Sequence, residues 1–207
     1  IPWPQGDAAG DTSGDVTAVA SVVTSGVTAI RATHTGEDGF DLVLNADHAG
    51  TMWDALHYAG ARPGGYDALE TLRIEAGLPR YGVDMDETNV VTEAALDDAV
   101  SYTKGCYVGQ EIIARIKYRG HVAKKLSGLV FEQAVKVAAG AAIKSADGKE
   151  IGRLTSVTYS PHLGRTVALV YLKYDYLAPG TGVKIIAADQ DLPAQVTELP
   201  FVHGTAP

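Results

Sequence analysis

Residues 166–174 read TVALVYLKY, a run of small, β-branched and aromatic side chains without glycine or proline. This composition favours a β-strand. Five further runs of the same character follow Gly120, and turn residues separate them, at residues 125–131, 141–144, 150–159, 183–186 and 195–199. Six short strands at this spacing predict a small C-terminal β-barrel, with a sandwich as the alternative.

The chain before Gly120 has a different pattern, in which predicted strands and helices interleave. The expected elements are a strand or short helix at residues 15–24, strands at 27–33 and 40–44, a helix through Met52 to Ala59 and a helix at 66–76. Asn45 or Asp47 can cap the first helix, and Gly77 can end the second. We therefore predict an α+β fold, with a ferredoxin-like α/β segment followed by the small barrel.

Composition excludes several classes of function. The chain has 207 residues and a net charge of −8, with no basic stripe that would suit a nucleic acid. A single cysteine rules out an internal disulfide and a four-cysteine iron–sulfur site within one chain. No apolar run approaches the roughly 18 residues of a membrane helix, so we expect no membrane span and no membrane partner. The single cysteine fits a reducing cytosol, and we expect a cytoplasmic protein. The six histidines show no metal-ligand spacing, so no metal site is predicted.

The single cysteine lies in the most distinctive segment, residues 104–111, which read KGCYVGQE. A helix is predicted over residues 108–117, with one apolar face formed by Val108, Ile112, Ile113 and Ile116. Cys106 would then lie near the positive end of the helix dipole and close to Lys104, and both influences favour the thiolate. The alternative is an inert small side chain in the core.

Two more segments are distinctive, residues 35–40 (TGEDGF) and residues 69–82 (LETLRIEAGLPRYG). Together with residues 104–111, and in the same order, they resemble segments of the YgfZ-type folate-binding proteins, which are relatives of the aminomethyltransferase (T-protein) of the glycine cleavage system. The motif in the third segment consists of Lys104, Gly105, Cys106, Tyr107, Gly109, Gln110 and Glu111. The resemblance extends from about residue 27 to about residue 131, and it implies that the chain is the C-terminal portion of a longer protein.

The resemblance also implies a folate site. In T-proteins the glutamate that matches Glu37 contacts folate, and a carboxylate can accept hydrogen bonds from two adjacent N–H groups of a pterin. Arg73 and Tyr81 are expected in the same pocket, with tetrahydrofolate or a derivative as the cofactor. The residues themselves leave alternatives open: Glu37 as a solvated turn acid, Arg73 as the partner of Glu70, and Tyr81 as core packing.

On this interpretation the chain has three parts. Residues 1–15 are a linker or the remnant of a missing part, residues 16–120 an incomplete folate-binding domain that includes the motif, and residues 121–207 the barrel. Because relatives close their folate pocket among three domains, we expect this chain alone to bind folate weakly or not at all.

Three functional hypotheses remain. The first is a tetrahydrofolate-binding accessory protein that supports assembly or repair of iron–sulfur enzymes, with those enzymes or assembly proteins as partners and Cys106 as a functional thiol. The second is an aminomethyltransferase that uses tetrahydrofolate, although the segment of those enzymes that matches residues 104–111 typically lacks the cysteine. The third is a non-catalytic folate-binding module in which Cys106 is structural.

Overall fold

The computed structural model describes residues 21–24, 26–187 and 190–203. Residues 15–20 of the first predicted element lie outside these ranges. The strands and helices are β1 (Ser21–Thr24), β2 (Val27–Arg31), β3 (Phe40–Leu44), α1 (Ala49–Tyr58), α2 (Tyr66–Glu75), α3 (Gln110–Arg119), β4 (Lys124–Phe131), β5 (Ala142–Lys144), β6 (Glu150–Ser160), β7 (Arg165–Lys173), β8 (Gly182–Ile186) and β9 (Asp191–Thr197). Within the described ranges, no helix is both long and apolar enough to cross a membrane.

The C-terminal strands form a closed antiparallel barrel in the order β4-β7-β6-β5-β8-β9. All six predicted strands are present, so the barrel prediction is confirmed. The largest boundary error is in β9, which begins at Asp191 rather than at residue 195. Pro193 lies within this strand, opposite Lys184. A proline cannot donate a ladder hydrogen bond, and its presence made the early part of β9 look like a turn.

Strand β7 is buried on both faces, which explains its unbroken apolar run. Its alternate residues Ala168, Val170 and Leu172 belong to the core inside the barrel. The intervening residues form a second cluster, which consists of Ile74, Leu126, Val167, Leu169 and Tyr171. Because Ile74 comes from α2, this second cluster attaches the helix to the outside of the barrel. Full burial of such a side chain contributes about 1.5–3 kcal/mol.

The segment before the barrel is a mixed α/β unit, as predicted. Strands β1, β2 and β3 form an antiparallel sheet in which Arg31 pairs with Phe40. The Asn45 side chain accepts a hydrogen bond from the Asp47 N–H at 3.1 Å, in the short turn that leads into α1. Helices α1 and α3 contain no buried residue in this structure.

Helix α3 begins two residues later than predicted, at Gln110 instead of Val108. The reason is Gly109, which has a φ of 88° and so adopts a left-handed conformation that few other residues reach without strain. Val108 therefore lies before the helix and is fully exposed, and its assignment to the apolar face of this helix was wrong.

Candidate functional site

The loop that carries Glu37 joins β2 to β3 and lies against the C-terminal end of α2. Gly36 in this loop has a φ of 80°, and a Cβ atom at this position would lie 2.8 Å from the Cβ of Ala76. Only glycine permits this approach without displacing the helix end. Glu37 is half-buried, and its backbone N–H donates to Thr35 Oγ1 at 3.4 Å. The close contact therefore holds the backbone of this loop, which carries Glu37, beside the end of α2.

Arg73 lies in α2, where it is only 6% exposed. Its Nε donates to Glu70 Oε2 at 2.8 Å, and its Nη2 donates to Glu70 Oε1. Nη1 donates to the carbonyl of Leu78 at 3.0 Å and to Asp84 Oδ2 at 2.7 Å. Nη2 also donates to Ser156 Oγ at 2.7 Å.

These bonds occupy all five N–H donors of the Arg73 guanidinium. The pairing with Glu70 that the sequence left open is present, and it is part of a larger buried network. A folate contact by Arg73 would require one of these bonds to break. In this arrangement Arg73 positions the helix and the loop after it, and its predicted contact with the ligand stays a prediction.

The network shifts the protonation equilibria of its members. Burial by itself lowers the pKa of Arg73, but the hydrogen bond to Glu70 and the charges of Asp84 and Glu70 outweigh it and raise that pKa above its ordinary value. The hydrogen bonds from Arg73 also lower the pKa of Glu70, against the opposing effect of burial. Both shifts favour the charged forms, so the ion pair persists to a lower pH than an unperturbed glutamate would allow.

Asp84 is the residue that sequence reasoning missed. It is 0% exposed, and it accepts hydrogen bonds from Arg73, from the backbone N–H of Arg80 at 3.0 Å, from Thr155 Oγ1 and from Ser156 Oγ at 2.7 Å. Because Thr155 and Ser156 belong to β6, this one carboxylate joins the loop after α2 to the barrel. The sequence around Asp84 did not indicate that this residue is buried, because its acidic composition is typical of a surface loop.

Tyr81 lies in the same loop, with its side chain exposed. It is 65% exposed, and its hydroxyl donates to Glu87 Oε2 at 3.3 Å. The alternative of core packing is therefore wrong for this residue. Its ring lies on the surface, next to the backbone that Asp84 fixes.

The motif that contains Cys106 forms a separate loop before α3. The Lys104 ammonium lies 4.7 Å from the centre of the Tyr107 ring, and the Tyr107 N–H donates to Gln110 Oε1 at 3.2 Å. Cys106 is exposed and has a free thiol, and Glu111 lies in the first turn of the helix. Lys104, Tyr107 and Gln110 of the motif thus contact one another. None of the hydrogen-bond partners of Arg73 belongs to the motif.

The predicted site residues therefore fall into two groups, one around α2 and one before α3. The first contains Glu37, Arg73 and Tyr81, and the second contains Cys106 with its neighbours. Across the described parts of the chain, no group of three or more histidine, cysteine, aspartate or glutamate side chains is arranged to hold a metal ion.

Two family models match the chain in succession. The GCVT N-terminal domain matches residues 15–104, and the glycine cleavage T-protein C-terminal barrel domain matches residues 124–203. This chain belongs to the glycine cleavage T-protein superfamily. The T-protein matches leave residues 105–123 between them, and that interval holds Cys106 and α3.

Individual T-protein relatives show the same relationship. The aminomethyltransferase of Symbiobacterium thermophilum is 36% identical over 88% of this chain and 50% of the relative. That of Halothermothrix orenii is 34% identical over 83% of this chain and 49% of the relative. The crystal structure of the glycine cleavage system aminomethyltransferase T from Bartonella henselae matches with a TM-score of 0.79 and 27% identity, over 87% of this chain and 51% of that one.

The chain spans about half the length of the curated relatives it matches. These findings confirm the predicted superfamily. The relatives carry the name aminomethyltransferase, which agrees with the second of the three hypotheses and gives the iron–sulfur hypothesis no support.

Proposed function

We propose that the protein is a tetrahydrofolate-dependent aminomethyltransferase of the T-protein type. The observation that carries this proposal is the half-buried Glu37, in the loop that is held against the end of α2 by the close approach of Gly36 to Ala76. The order of the two matched domains and the names of the relatives support it. Because the chain spans about half of each relative, the activity is proposed for the whole protein.

The residues around α2 fit a folate unequally. Glu37 suits the pterin, whose ring N–H and exocyclic amine both donate hydrogen bonds. The exposed Tyr81 can contribute an aromatic surface, whereas Arg73 has no donor left for a ligand. Tetrahydrofolate, when bound, supplies the nitrogen that accepts the one-carbon unit. The role of this chain would be to bind and orient the pterin, while Arg73 and Asp84 hold the supporting elements in place.

A titration with tetrahydrofolate under anaerobic, reducing conditions tests this proposal. NMR detection suits it, because NMR registers the weak binding that we expect of this chain. Glu37→Gln preserves the shape of the side chain but removes its charge, and loss of a charge-assisted hydrogen bond costs about 1.5–3 kcal/mol. The dissociation constant should therefore rise by about tenfold or more.

The matched control for this titration is Glu132→Gln, on an exposed loop of the barrel. This variant should bind tetrahydrofolate as the wild type does. The proposal is wrong if Glu37→Gln binds as tightly as the wild type, or if the whole protein, of which this chain is a part, shows no saturable binding of tetrahydrofolate.

A second candidate function rests on Cys106, which is exposed and lies between the two matched domains. In this alternative the protein supports iron–sulfur enzymes through the thiol. Cys106→Ala in the whole protein should then abolish complementation of an iron–sulfur defect, and folate binding should be unchanged. Full complementation by the variant, together with glycine-cleavage activity, would exclude the thiol-dependent role.

A further inference from the structure

A cleft lies where the segment at residues 97–104 meets α3 and the beginning of the barrel. Its volume is about 930 Å³, and its lining includes Tyr102, Lys104, Lys117, His121, Lys125 and Tyr174. This volume is typical of small-molecule sites, which span about 300–1,000 Å³. The lining residues are separate from Glu37, Arg73 and Tyr81.

Two of the lysines that line the cleft are held by aromatic rings. The Lys117 ammonium lies 3.3 Å from the centre of the Tyr102 ring, and the Lys104 ammonium lies 4.7 Å from that of Tyr107. Among the ion pairs of the described residues, neither lysine has a carboxylate partner. A cation–π contact leaves the ammonium charged and able to donate to an anion.

The charge of the cleft is the opposite of that of the chain. Three lysines line it, Lys104, Lys117 and Lys125, against two aspartates, Asp97 and Asp98. Lys125 pairs with Asp97 at 3.1 Å, so this aspartate is neutralised. The cleft keeps an excess positive charge on a chain whose net charge is −8. Such a local excess attracts anions from solution.

One wall of the cleft is a stacked pair of flat rings. The rings of His121 and Tyr174 lie 3.7 Å apart at an interplanar angle of 14°. His121 Nδ1 lies 3.0 Å from the carbonyl of Val122, which fixes the orientation of the imidazole. Thr92 also lines the cleft, and its buried Oγ1 has no hydrogen-bond partner in the described part of the chain. A buried hydroxyl of this kind is costly unless a water or a ligand satisfies it.

We propose that this cleft is a second binding site, for a small molecule that combines a flat ring with a phosphate or carboxylate. The anionic group contacts Lys104 and Lys117, and the ring packs beside His121 and Tyr174. This inference does not depend on the proposed folate site, because the two sites use different residues.

The experiment is a titration with adenosine 5′-monophosphate, which carries both features, and with its two fragments, adenosine and inorganic phosphate. Adenosine 5′-monophosphate should bind saturably and at least about tenfold more tightly than either fragment, a factor that corresponds to about 1.4 kcal/mol. The double variant Lys104→Gln/Lys117→Gln should lose at least about tenfold in affinity. Lys136→Gln, on an exposed loop, is the matched control and should bind as the wild type does.

Three results overturn the proposal: no saturable binding of the monophosphate, an affinity no higher than that of inorganic phosphate, or an affinity unaffected by the double lysine substitution. His121→Ala separates the two parts of the site, since it should weaken binding of the monophosphate but leave that of phosphate unchanged. The thermal unfolding midpoint of each variant checks that the fold is retained.

Glu37→Gln distinguishes this proposal from that of the folate site. It should weaken tetrahydrofolate binding and leave the affinity for adenosine 5′-monophosphate unchanged. If the substitution weakens both, the two ligands share one site, and the inference of a separate cleft is wrong.

Discussion

The barrel and the α/β segment before it bury their apolar side chains to very different degrees. Of the 20 buried apolar residues in the described parts of the chain, 17 belong to barrel strands, and the other three are Ile74, Ala94 and Val122. Large exposed apolar residues show the reverse distribution, since all but Tyr159 and Tyr174 precede β4. The barrel is therefore stabilised mainly by apolar burial, and the segment needs another means of attachment.

Besides the burial of Ile74 against the barrel, that attachment consists of buried polar bonds. Arg73 and Asp84 connect α2 and its following loop to β6. Glu75 accepts a hydrogen bond from Ser160 through its side chain, and its backbone carbonyl accepts one from the Phe201 N–H at 2.8 Å. Buried polar groups lose much free energy when a partner is removed. The α/β segment therefore depends on a few individual polar contacts for its attachment, whereas the barrel is stabilised by an apolar core to which all six strands contribute.

The largest effect should come from Asp84→Ala. This change removes the fully buried one of the two carboxylates that pair with Arg73, and loss of one partner of a buried ion pair costs about 3–5 kcal/mol. Denaturant unfolding measures it, with Asp54→Ala on the exposed surface of α1 as the control. A loss no greater than that of the control would show that the network does not hold the segment.

A matched pair of leucines compares the two regions directly. Leu129 is fully buried in the barrel core, whereas Leu56 lies exposed on α1. Leu129→Ala should lower the free energy of unfolding by about 2–5 kcal/mol through loss of burial and formation of a cavity. Leu56→Ala should change it by less than about 0.5 kcal/mol. Equal losses in urea denaturation would contradict the difference between the regions.

Tyr171→Phe should stabilise the protein. The Tyr171 hydroxyl is buried without a hydrogen-bond partner in the described part of the chain, and an unsatisfied group of this kind costs about 1–3 kcal/mol. Removal of the hydroxyl should therefore raise the free energy of unfolding by about 1 kcal/mol. Guanidinium unfolding at neutral pH checks this, and a destabilised variant would reveal a partner for the hydroxyl.

The same tyrosine predicts a loss of stability in alkali. Burial raises the pKa of Tyr171 from its ordinary value of 10.0 to about 12. Because the tyrosine ionises first in the unfolded chain, its ionisation does not affect the free energy of unfolding below pH 10.0 and lowers it as the pH rises from there towards the native pKa. Tyr171→Phe should lack this part of the decrease, and identical alkaline profiles would contradict the assignment.

The smallest predicted effect is a loss of stability at acid pH. The hydrogen bonds from Arg73 lower the pKa of Glu70 below its ordinary value of 4.5, so the stability from this carboxylate is present above that value and is lost as the pH falls through the native pKa. Glu70 is partly exposed, so its contribution should be below about 1 kcal/mol. Glu70→Gln should therefore show a slightly smaller loss of stability in acid, measured by urea unfolding, and a larger loss would contradict this sign.

The sequence predicted the parts of the fold that short-range patterns determine. The six barrel strands were found because apolar runs and turn residues mark them locally, and the end of α2 was found because Gly77 follows it. The burial of Asp84 was not predictable, since its partners Thr155 and Ser156 lie 71 and 72 residues further along the chain. The start of α3 was misplaced because the left-handed conformation of Gly109 leaves no apolar pattern.

The candidate site shows the same limit. The motif around Glu37 located a half-buried carboxylate. No local pattern revealed that all five N–H groups of the Arg73 guanidinium donate to other groups of the protein. The cleft beside Lys117 was missed because its lysines and rings come together only when the segment at residues 97–104, α3 and the barrel are folded.

Native-state hydrogen exchange of the wild type and Asp84→Ala tests the central claim most directly. Backbone amides in β4, β6 and β7 should exchange only through global unfolding, whereas those in α1, α2 and α3 should exchange through a smaller opening. The substitution should lower the opening free energy of α2 and leave the barrel amides more protected than those of the helix. A single opening free energy throughout the chain, lowered equally in both regions by the substitution, would contradict the account.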